Sequence, residues 1–385
     1  MTGASGVEGT RIPLHSLSCR PSAGRSAGSF VNTGIMEAFR GTRPGCLPVW
    51  FMRQAGRSLP EYRAVRGTNT LLEACLNPDL ACEITLQPVR RYSVDAAILF
   101  SDIVVPLKLA GVGVDILPGT GPVLNNPIDT PDRVNTLLAK TADSIDFGII
   151  AEITRHTVSA LNGIPLIGFA GAPYTLACYM VEGGPSKTHM KARAMMHGDK
   201  KTWQKVMMLA ARLSGQFLAA QITSGAQAVQ IFDSWAGSLS RKDYVDNVAP
   251  FSKMTIDLAC GIDGNSDLSK TGKSLWPRVP VLHFAANAGH LLTAIRDIGV
   301  SVMSVDYTKP LDEASELLDD SMPLQGNIDP AMLFAPWEVL KRHVLDIVQR
   351  ASRAPSHVLN LGHGVPPDAS CDQLARIVDL AHSMV

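Results

Sequence analysis

The sequence predicts a single-domain α/β protein built as a (β/α)8 barrel of the TIM type. Short apolar runs with the length of buried strands alternate with longer helical patterns, which is typical of parallel strands joined by right-handed crossovers. Eight such runs occur, and eight strands close this kind of barrel. They are residues 48–52, 95–100, 164–170, 226–232, 280–285, 300–306, 324–329 and 357–362.

The helical patterns between these runs support the same fold. Residues 79–93, 202–225 and 336–352 have helix length, and in the last of them five apolar residues share one face: Val339, Leu340, Val344, Ile347 and Val348. An open doubly wound sheet is the alternative, but it usually needs a glycine-rich first turn. Gly111 and Gly113 begin such a motif, yet Ile116 stands where its third glycine belongs.

Length and composition limit the domain organisation and the class of partner. The chain has 385 residues, with 35 Lys and Arg against 35 Asp and Glu, so no overall field favours nucleic acid or an anionic membrane. We expect residues 1–35, rich in Gly and Ser, to be a disordered extension, with a transit peptide as the alternative, and residues 36–385 to form the barrel. Residues 261–277 are predicted to form a surface loop. The seven cysteines lack C-x-x-C spacing, which indicates a reducing cytosol.

The working residues of such a barrel follow the carboxyl ends of its strands. Six arginines and two acids between positions 35 and 66 indicate a carboxylate-binding surface, although a solvated loop is the alternative. Asp102 directly follows an apolar strand and either stands at the barrel mouth or caps the next helix, a role that Ser101 could take instead. His363 lies between two glycines, which suits a backbone turned around a ligand or a simple turn.

No metal or nucleotide site is predicted. His283 lies in a strand without a second ligand nearby, since position 285 is Ala, so a packed core histidine is favoured. The chain also lacks a G-x-x-x-x-G-K-[ST] loop.

Two long segments carry a resemblance to a known family. Residues 48–63 (PVWFMRQAGRSLPEYR) and 168–184 (GFAGAPYTLACYMVEGG) are similar to the two signatures of uroporphyrinogen decarboxylases, and shorter stretches resemble the same family in the right order. The resemblance covers about residues 45–385. Ser58 and Tyr307 depart from the residues common in the family, which puts the shape of the pocket in doubt more than its chemistry.

The resemblance implies a barrel enzyme, usually a homodimer, that converts uroporphyrinogen III to coproporphyrinogen III in tetrapyrrole synthesis. It implies catalytic roles for Asp102, Tyr179 and Arg53, with Arg53 also at the substrate carboxylates. We expect nine residues to contact the substrate, with Arg66 as a further candidate. In full these are Arg53, Gln54, Ala55, Gly56, Arg57, Asp102, Tyr179, Ser234 and His363.

The chemistry suits these residue types without a cofactor. Loss of a carboxyl group leaves an electron pair that needs a sink, and a pyrrole protonated on a ring carbon supplies one itself. The protein must then stabilise a cationic ring, hold carboxylates and supply a proton. Asp102 suits the first task, because a charge in an apolar mouth acts through a low dielectric. Arginines suit the second, while the acid stays open between Tyr179 and a water, since an arginine is a poor acid.

Two other functions compete with this one. A zinc-dependent corrinoid or thiol methyltransferase on the related barrel would use a His-x-Cys pair, and Ala285 stands where that cysteine would fall. A tetrapyrrole-binding protein without activity would need the arginines but not a buried Asp102. We therefore predict a decarboxylase with neither metal nor cofactor.

Overall fold

The computed structural model describes residues 34–56, 58–141, 145–261 and 279–384. These residues belong to one compact unit, Asn32–Val385. The predicted extension lies outside the described residues except for Gly34 and Ile35, which begin the first helix, so the folded unit starts before the predicted boundary at residue 36. Of the predicted loop 261–277, only Gly261 is described.

Seven parallel strands form the main sheet. In spatial order they are β1 (Ala97–Ile98), β4 (Leu166–Gly171), β5 (Ala228–Asp233), β6 (Val281–Ala285), β7 (Val302–Ser304), β8 (Leu324–Gln325) and β9 (His357–Val358). Because neighbours along the chain are neighbours in the sheet, each crossover advances by one strand and the sheet curls. Strands β2 (Val114–Leu117) and β3 (Gly121–Leu124) form a separate antiparallel hairpin.

The first predicted strand closes the curled sheet. Val49 forms a parallel bridge with Leu359, whose N–H donates to Pro48 O at 2.8 Å. On the other side, the Asp95 N–H donates to Val49 O at 2.9 Å. Residues 48–50 therefore lie between β9 and β1, in the eighth strand position. All eight predicted runs take part in this arrangement, and the predicted barrel is confirmed.

Helices cover the outside of the sheet. They are α1 (Gly34–Phe39), α2 (Pro60–Arg66), α3 (Leu71–Cys75), α4 (Pro78–Tyr92), α5 (Val105–Leu109), α6 (Pro131–Lys140), α7 (Gly148–Ala160), α8 (Pro173–Glu182), α9 (Met190–Gly198), α10 (Lys200–Thr223), α11 (Arg241–Asn247), α12 (Ala249–Cys260), α13 (Leu292–Arg296), α14 (Leu311–Leu317), α15 (Trp337–Arg350) and α16 (Cys371–His382). Among the described residues, none of these helices is long and apolar enough to cross a membrane.

The three segments predicted to be helices are present as α4, α10 and α15. Asn77 begins α4 by accepting the Leu80 N–H at 3.1 Å. The predicted apolar face of α15 is correct for Leu340, Val344 and Ile347, which are buried. It is wrong for Val339, which is exposed, because this residue lies in the first turn and at the edge of that face.

The barrel interior contains a buried polar layer below its mouth. The Gln325 side-chain amide donates to Gln230 Oε1 at 3.1 Å and to Ser304 Oγ at 2.8 Å. The Trp50 indole N–H donates to Gln325 Oε1 at 2.8 Å. These partners satisfy polar groups that burial would otherwise penalise, and they join four strand positions across the barrel.

Candidate active site

Aromatic rings form the floor of the barrel mouth. Phe169 of β4 contacts Phe232 of β5 with ring centroids 5.6 Å apart, and Phe232 contacts Phe284 of β6 at 6.1 Å. Phe284 in turn meets the His363 ring edge-on, also at 6.1 Å. Since side chains alternate along a strand, Gln230 and Phe232 share the inner face of β5. The floor is therefore an apolar surface next to the buried polar layer, with Phe169 the register partner of Gln230.

Asp102 lies beside this floor, after the end of β1. Its Oδ1 accepts the Val104 N–H at 3.0 Å, just before α5 begins. Ser101 Oγ has no hydrogen-bond partner in the described residues, and no side chain caps α5. Neither Ser101 nor Asp102 is therefore the helix cap that the sequence suggested, and Asp102 instead closes a turn at Val104. Burial raises the pKa of the Asp102 carboxyl, opposed by the Val104 N–H and the charge of Arg53. A two-residue turn occupies one oxygen and leaves the other available at the mouth.

Arg53 supplies the positive charge of the site. Its backbone has φ 61°, and its side chain lies against Gly364, where an added Cβ would stand 2.4 Å from Arg53 Cδ. Burial raises the pKa of Tyr179 and the charge of Arg53 opposes that rise, whereas burial lowers the pKa of His363 and the charge of Arg53 adds to that lowering. Four of the predicted residues, Arg53, Asp102, Tyr179 and His363, are thus electrostatic neighbours around one mouth.

Tyr179 projects from α8 and stacks on Trp235, with ring centroids 4.3 Å apart. Burial, and secondarily the charge of Asp102, raise the pKa of Tyr179 to about 12. Ser234 is partly exposed in the turn between β5 and Trp235. Burial lowers the pKa of His363, so its imidazole is neutral at neutral pH.

The other predicted residues have different positions. Gln54 is fully buried: its Oε1 accepts the Phe51 N–H and its amide donates to Ala96 O, both at 3.0 Å, so its side chain fastens the loop. Ala55 is half-buried and Gly56 buried, and they can offer only backbone, while Arg57 lies outside the described residues. Arg66 contacts the ring of Tyr62, which packs on Phe100, two residues before Asp102.

Two acids at strand ends hold the scaffold. Asp306 Oδ1 accepts the N–H and the hydroxyl of Thr308, at 2.9 and 2.7 Å, and its Oδ2 accepts the Asn287 N–H. Asp233 points behind α8, where Thr175 donates to it at 2.8 Å, and burial raises its pKa to about 7. Their position after a strand was a visible signal, but it could not distinguish these acids from Asp102.

The described residues contain no group of three His, Cys, Asp or Glu side chains arranged for a metal. His283 is fully buried with both ring nitrogens unpartnered there, and burial lowers its pKa to about 3. It lies one residue from Phe284 and therefore faces away from the mouth. The predicted packed histidine is confirmed.

Comparisons with known proteins agree with this geometry. A family model described as uroporphyrinogen decarboxylase (URO-D) matches residues 31–384. The chain belongs to this family. It is 52% identical over 357 residues to the uroporphyrinogen decarboxylase of Arthrobacter sp. (strain FB24), covering 93% of this chain and 99% of that one. It is 50% identical over 358 residues to the uroporphyrinogen decarboxylase of Leifsonia xyli subsp. xyli (strain CTCB07), covering 90% and 93%.

The family's barrel also occurs in a solved structure of a methyltransferase from Methanosarcina mazei. That structure superposes with a TM-score of 0.71 at 16% identity, covering 91% of this chain and 98% of that one. At this identity the likeness supports the fold and does not extend to the reaction.

Proposed function

We propose that this protein removes the acetate carboxyl groups of uroporphyrinogen to give coproporphyrinogen, without a cofactor. Family membership supports the reaction class. The observation that carries the proposal is the Asp102 carboxylate, partly exposed at an aromatic mouth, with Arg53 close enough to influence its pKa. The family resemblance further suggests a homodimer that acts in the cytoplasm.

The proposed site divides the chemistry between two charges. The substrate carries many carboxylates and four pyrrole N–H groups, and Arg53 would bind carboxylates through its forked guanidinium. Asp102 would accept the pyrrole N–H groups, which converge on one point in a domed macrocycle. Because its second oxygen is not used by the turn at Val104, this contact leaves the local fold intact.

Each decarboxylation then proceeds in balanced steps. Protonation of a ring carbon makes a cationic pyrrole; the bond between the acetate methylene and its carboxyl breaks, and the electron pair neutralises the ring as carbon dioxide leaves. A proton then converts the exocyclic methylene to a methyl group, and loss of the first proton restores the pyrrole. The Asp102 charge would stabilise the cation through the low dielectric of the mouth.

The pKa of about 12 for Tyr179 makes its hydroxyl a weak acid at neutral pH. We propose that Tyr179 donates a hydrogen bond at the reacting ring, and that a water delivers the proton.

The test is a direct assay of purified protein with uroporphyrinogen under anaerobic conditions. The expected result is four carbon dioxide molecules for each coproporphyrinogen, with partly decarboxylated intermediates appearing first. Binding of the substrate without release of carbon dioxide would identify a tetrapyrrole-binding protein instead. Methyl transfer to a thiol that depends on added zinc would identify a methyltransferase.

A further inference from the structure

A column of aromatic rings continues behind Tyr179, away from the mouth. Trp235 contacts Tyr179, and it also contacts the His189 ring with centroids 4.5 Å apart and planes inclined by 37°. His189 meets Tyr174 edge-on at 6.4 Å, and Tyr174 meets Trp203 of α10 at 6.1 Å. The column therefore connects a residue of the mouth to Trp203, a buried residue in the first turn of the long helix α10.

His189 occupies this column as a ring and not as a hydrogen-bonding group. It is 3% exposed, and neither ring nitrogen has a partner in the described part of the chain. Burial lowers its pKa, so the ring is neutral at neutral pH. Its backbone has φ 50°, a conformation uncommon for residues other than glycine. Such a conformation persists only where the surroundings hold it, here through the N–H donated to Ser186 Oγ at 2.9 Å.

The Tyr179 ring depends on this stack for its orientation. Among the described residues its hydroxyl makes no hydrogen bond, and its ring contact is with Trp235. Trp235, in contrast, is fixed at its backbone, since its N–H lies 3.4 Å from Thr175 Oγ1 and its carbonyl accepts the Ser238 hydroxyl at 2.8 Å. Its side chain is supported by His189.

We propose that His189 is a positioning residue, which holds the Trp235 ring against Tyr179 and so sets the direction of the Tyr179 hydroxyl in the mouth. This inference rests on the proposed function, in which Tyr179 contacts the substrate. Misplacing a reacting group by about 1 Å can cost up to about a hundredfold in rate. Since His189 does not reach the substrate, its loss affects turnover more than binding.

Two substitutions separate the ring from its nitrogens. For His189→Ala we expect turnover to fall about tenfold, because the support of Trp235 is lost, with KM changed less than about twofold. His189→Phe keeps a flat ring, and turnover stays near that of the unaltered chain. The matched control is His197→Ala, because His197 is an exposed histidine in α9, the helix that His189 precedes. A His189→Phe variant as slow as His189→Ala would overturn the proposal, because the nitrogens would then be what matters.

A double-mutant cycle tests whether His189 acts through Tyr179. Tyr179→Phe removes the hydroxyl, so adding His189→Ala to it should cost less than about twofold further. An equal loss in both backgrounds, or a Tyr179→Phe variant as fast as the unaltered chain, would refute the route through Tyr179.

Near-ultraviolet circular dichroism of the full chain reads the Tyr179–Trp235 stack independently of activity. We expect the stacking signal to weaken in His189→Ala and to persist in His189→Phe. If the unaltered chain released no carbon dioxide, the proposed function would fail, and this signal would still decide the arrangement. An unchanged spectrum in His189→Ala would overturn the inference alone.

Discussion

Replacing Asp102 with Asn separates its two possible roles. Asn keeps the side-chain oxygen that accepts the Val104 N–H at 3.0 Å, so the turn before α5 is preserved. Only the charge is removed. Burial raises the pKa of Asp102, which means that the ionised form is costly in the folded state above the ordinary carboxyl pKa. The Asn variant should therefore be at least as stable as the unaltered chain at neutral pH.

The expected loss of turnover follows from the position of the charge. Two opposite charges about 4 Å apart attract by about 4 kcal/mol at an effective dielectric of about 20, and a tenfold rate change corresponds to about 1.4 kcal/mol. The upper limit is thus about a thousandfold, and mutational data for one preorganised group give about 10²–10³. Asp102→Glu keeps the charge but moves it by one methylene, so it should also be slow if four N–H groups must converge on one point.

The assay measures coproporphyrinogen formation and counts each partly decarboxylated intermediate. Asp146→Asn is a matched control, because Asp146 is exposed and its Oδ1 accepts the Gly148 N–H at 2.7 Å in a similar turn. Near-normal turnover of Asp102→Asn would refute the electrostatic role proposed here, and would leave the family assignment intact.

Four further predictions follow from particular contacts. Arg53→Lys should weaken binding or turnover with little change in melting temperature, because Lys keeps the charge and loses the forked guanidinium. The control is Arg350→Lys, since Arg350 lies in an exposed ion pair. A large stability loss with normal kinetics would contradict the prediction. Deleting residues 1–30 should leave activity and melting temperature nearly unchanged, because α1 begins beyond the deletion; a folded but inactive product would contradict this. Activity should survive dialysis against a chelator, and loss restored by zinc would favour the methyltransferase. Burial raises the pKa of Asp233 from 3.8 to about 7, so the free energy of unfolding should fall as pH rises between these values, by up to about 4 kcal/mol, and stay constant above pH 7. Asp233→Asn keeps the contact with Thr175 and cannot ionise, so denaturant unfolding of this variant should lack the decrease.

The sequence predicted the barrel because each strand is a short apolar run, and that signal is local. Residues 48–50 show the limit of such a signal. Their apolar character indicated a strand, but their place beside β9 depends on the contact of Val49 with Leu359, more than 300 positions away. The hairpin of β2 and β3 was missed, because its strands are partly exposed and have only four residues each.

The candidate site was predicted less completely than the fold. Asp102, Asp233 and Asp306 all lie at or just after strand ends. Only the structure shows that Asp233 points behind α8 and that Asp306 holds neighbouring loops. Gln54 lies in the motif that carried the resemblance, yet its side chain forms hydrogen bonds with the backbone of Phe51 and Ala96. The support of Tyr179 by Trp235 and His189 joins residues from three separate segments, and no spacing rule describes such a contact.

The charge of Arg53 acts on Asp102 through space and not through a hydrogen bond. The proposed reaction needs the two side chains to stay apart in this way. Burial raises the pKa of Asp102, and the charge of Arg53 opposes this rise. A tight pair would neutralise both groups, and the substrate would have to break it and desolvate each partner again. Kept apart, the arginine is free for a substrate carboxylate and the aspartate for the pyrrole N–H groups. Each side chain can then meet a different part of one ligand, and moving either of them should slow the reaction even when its charge is retained.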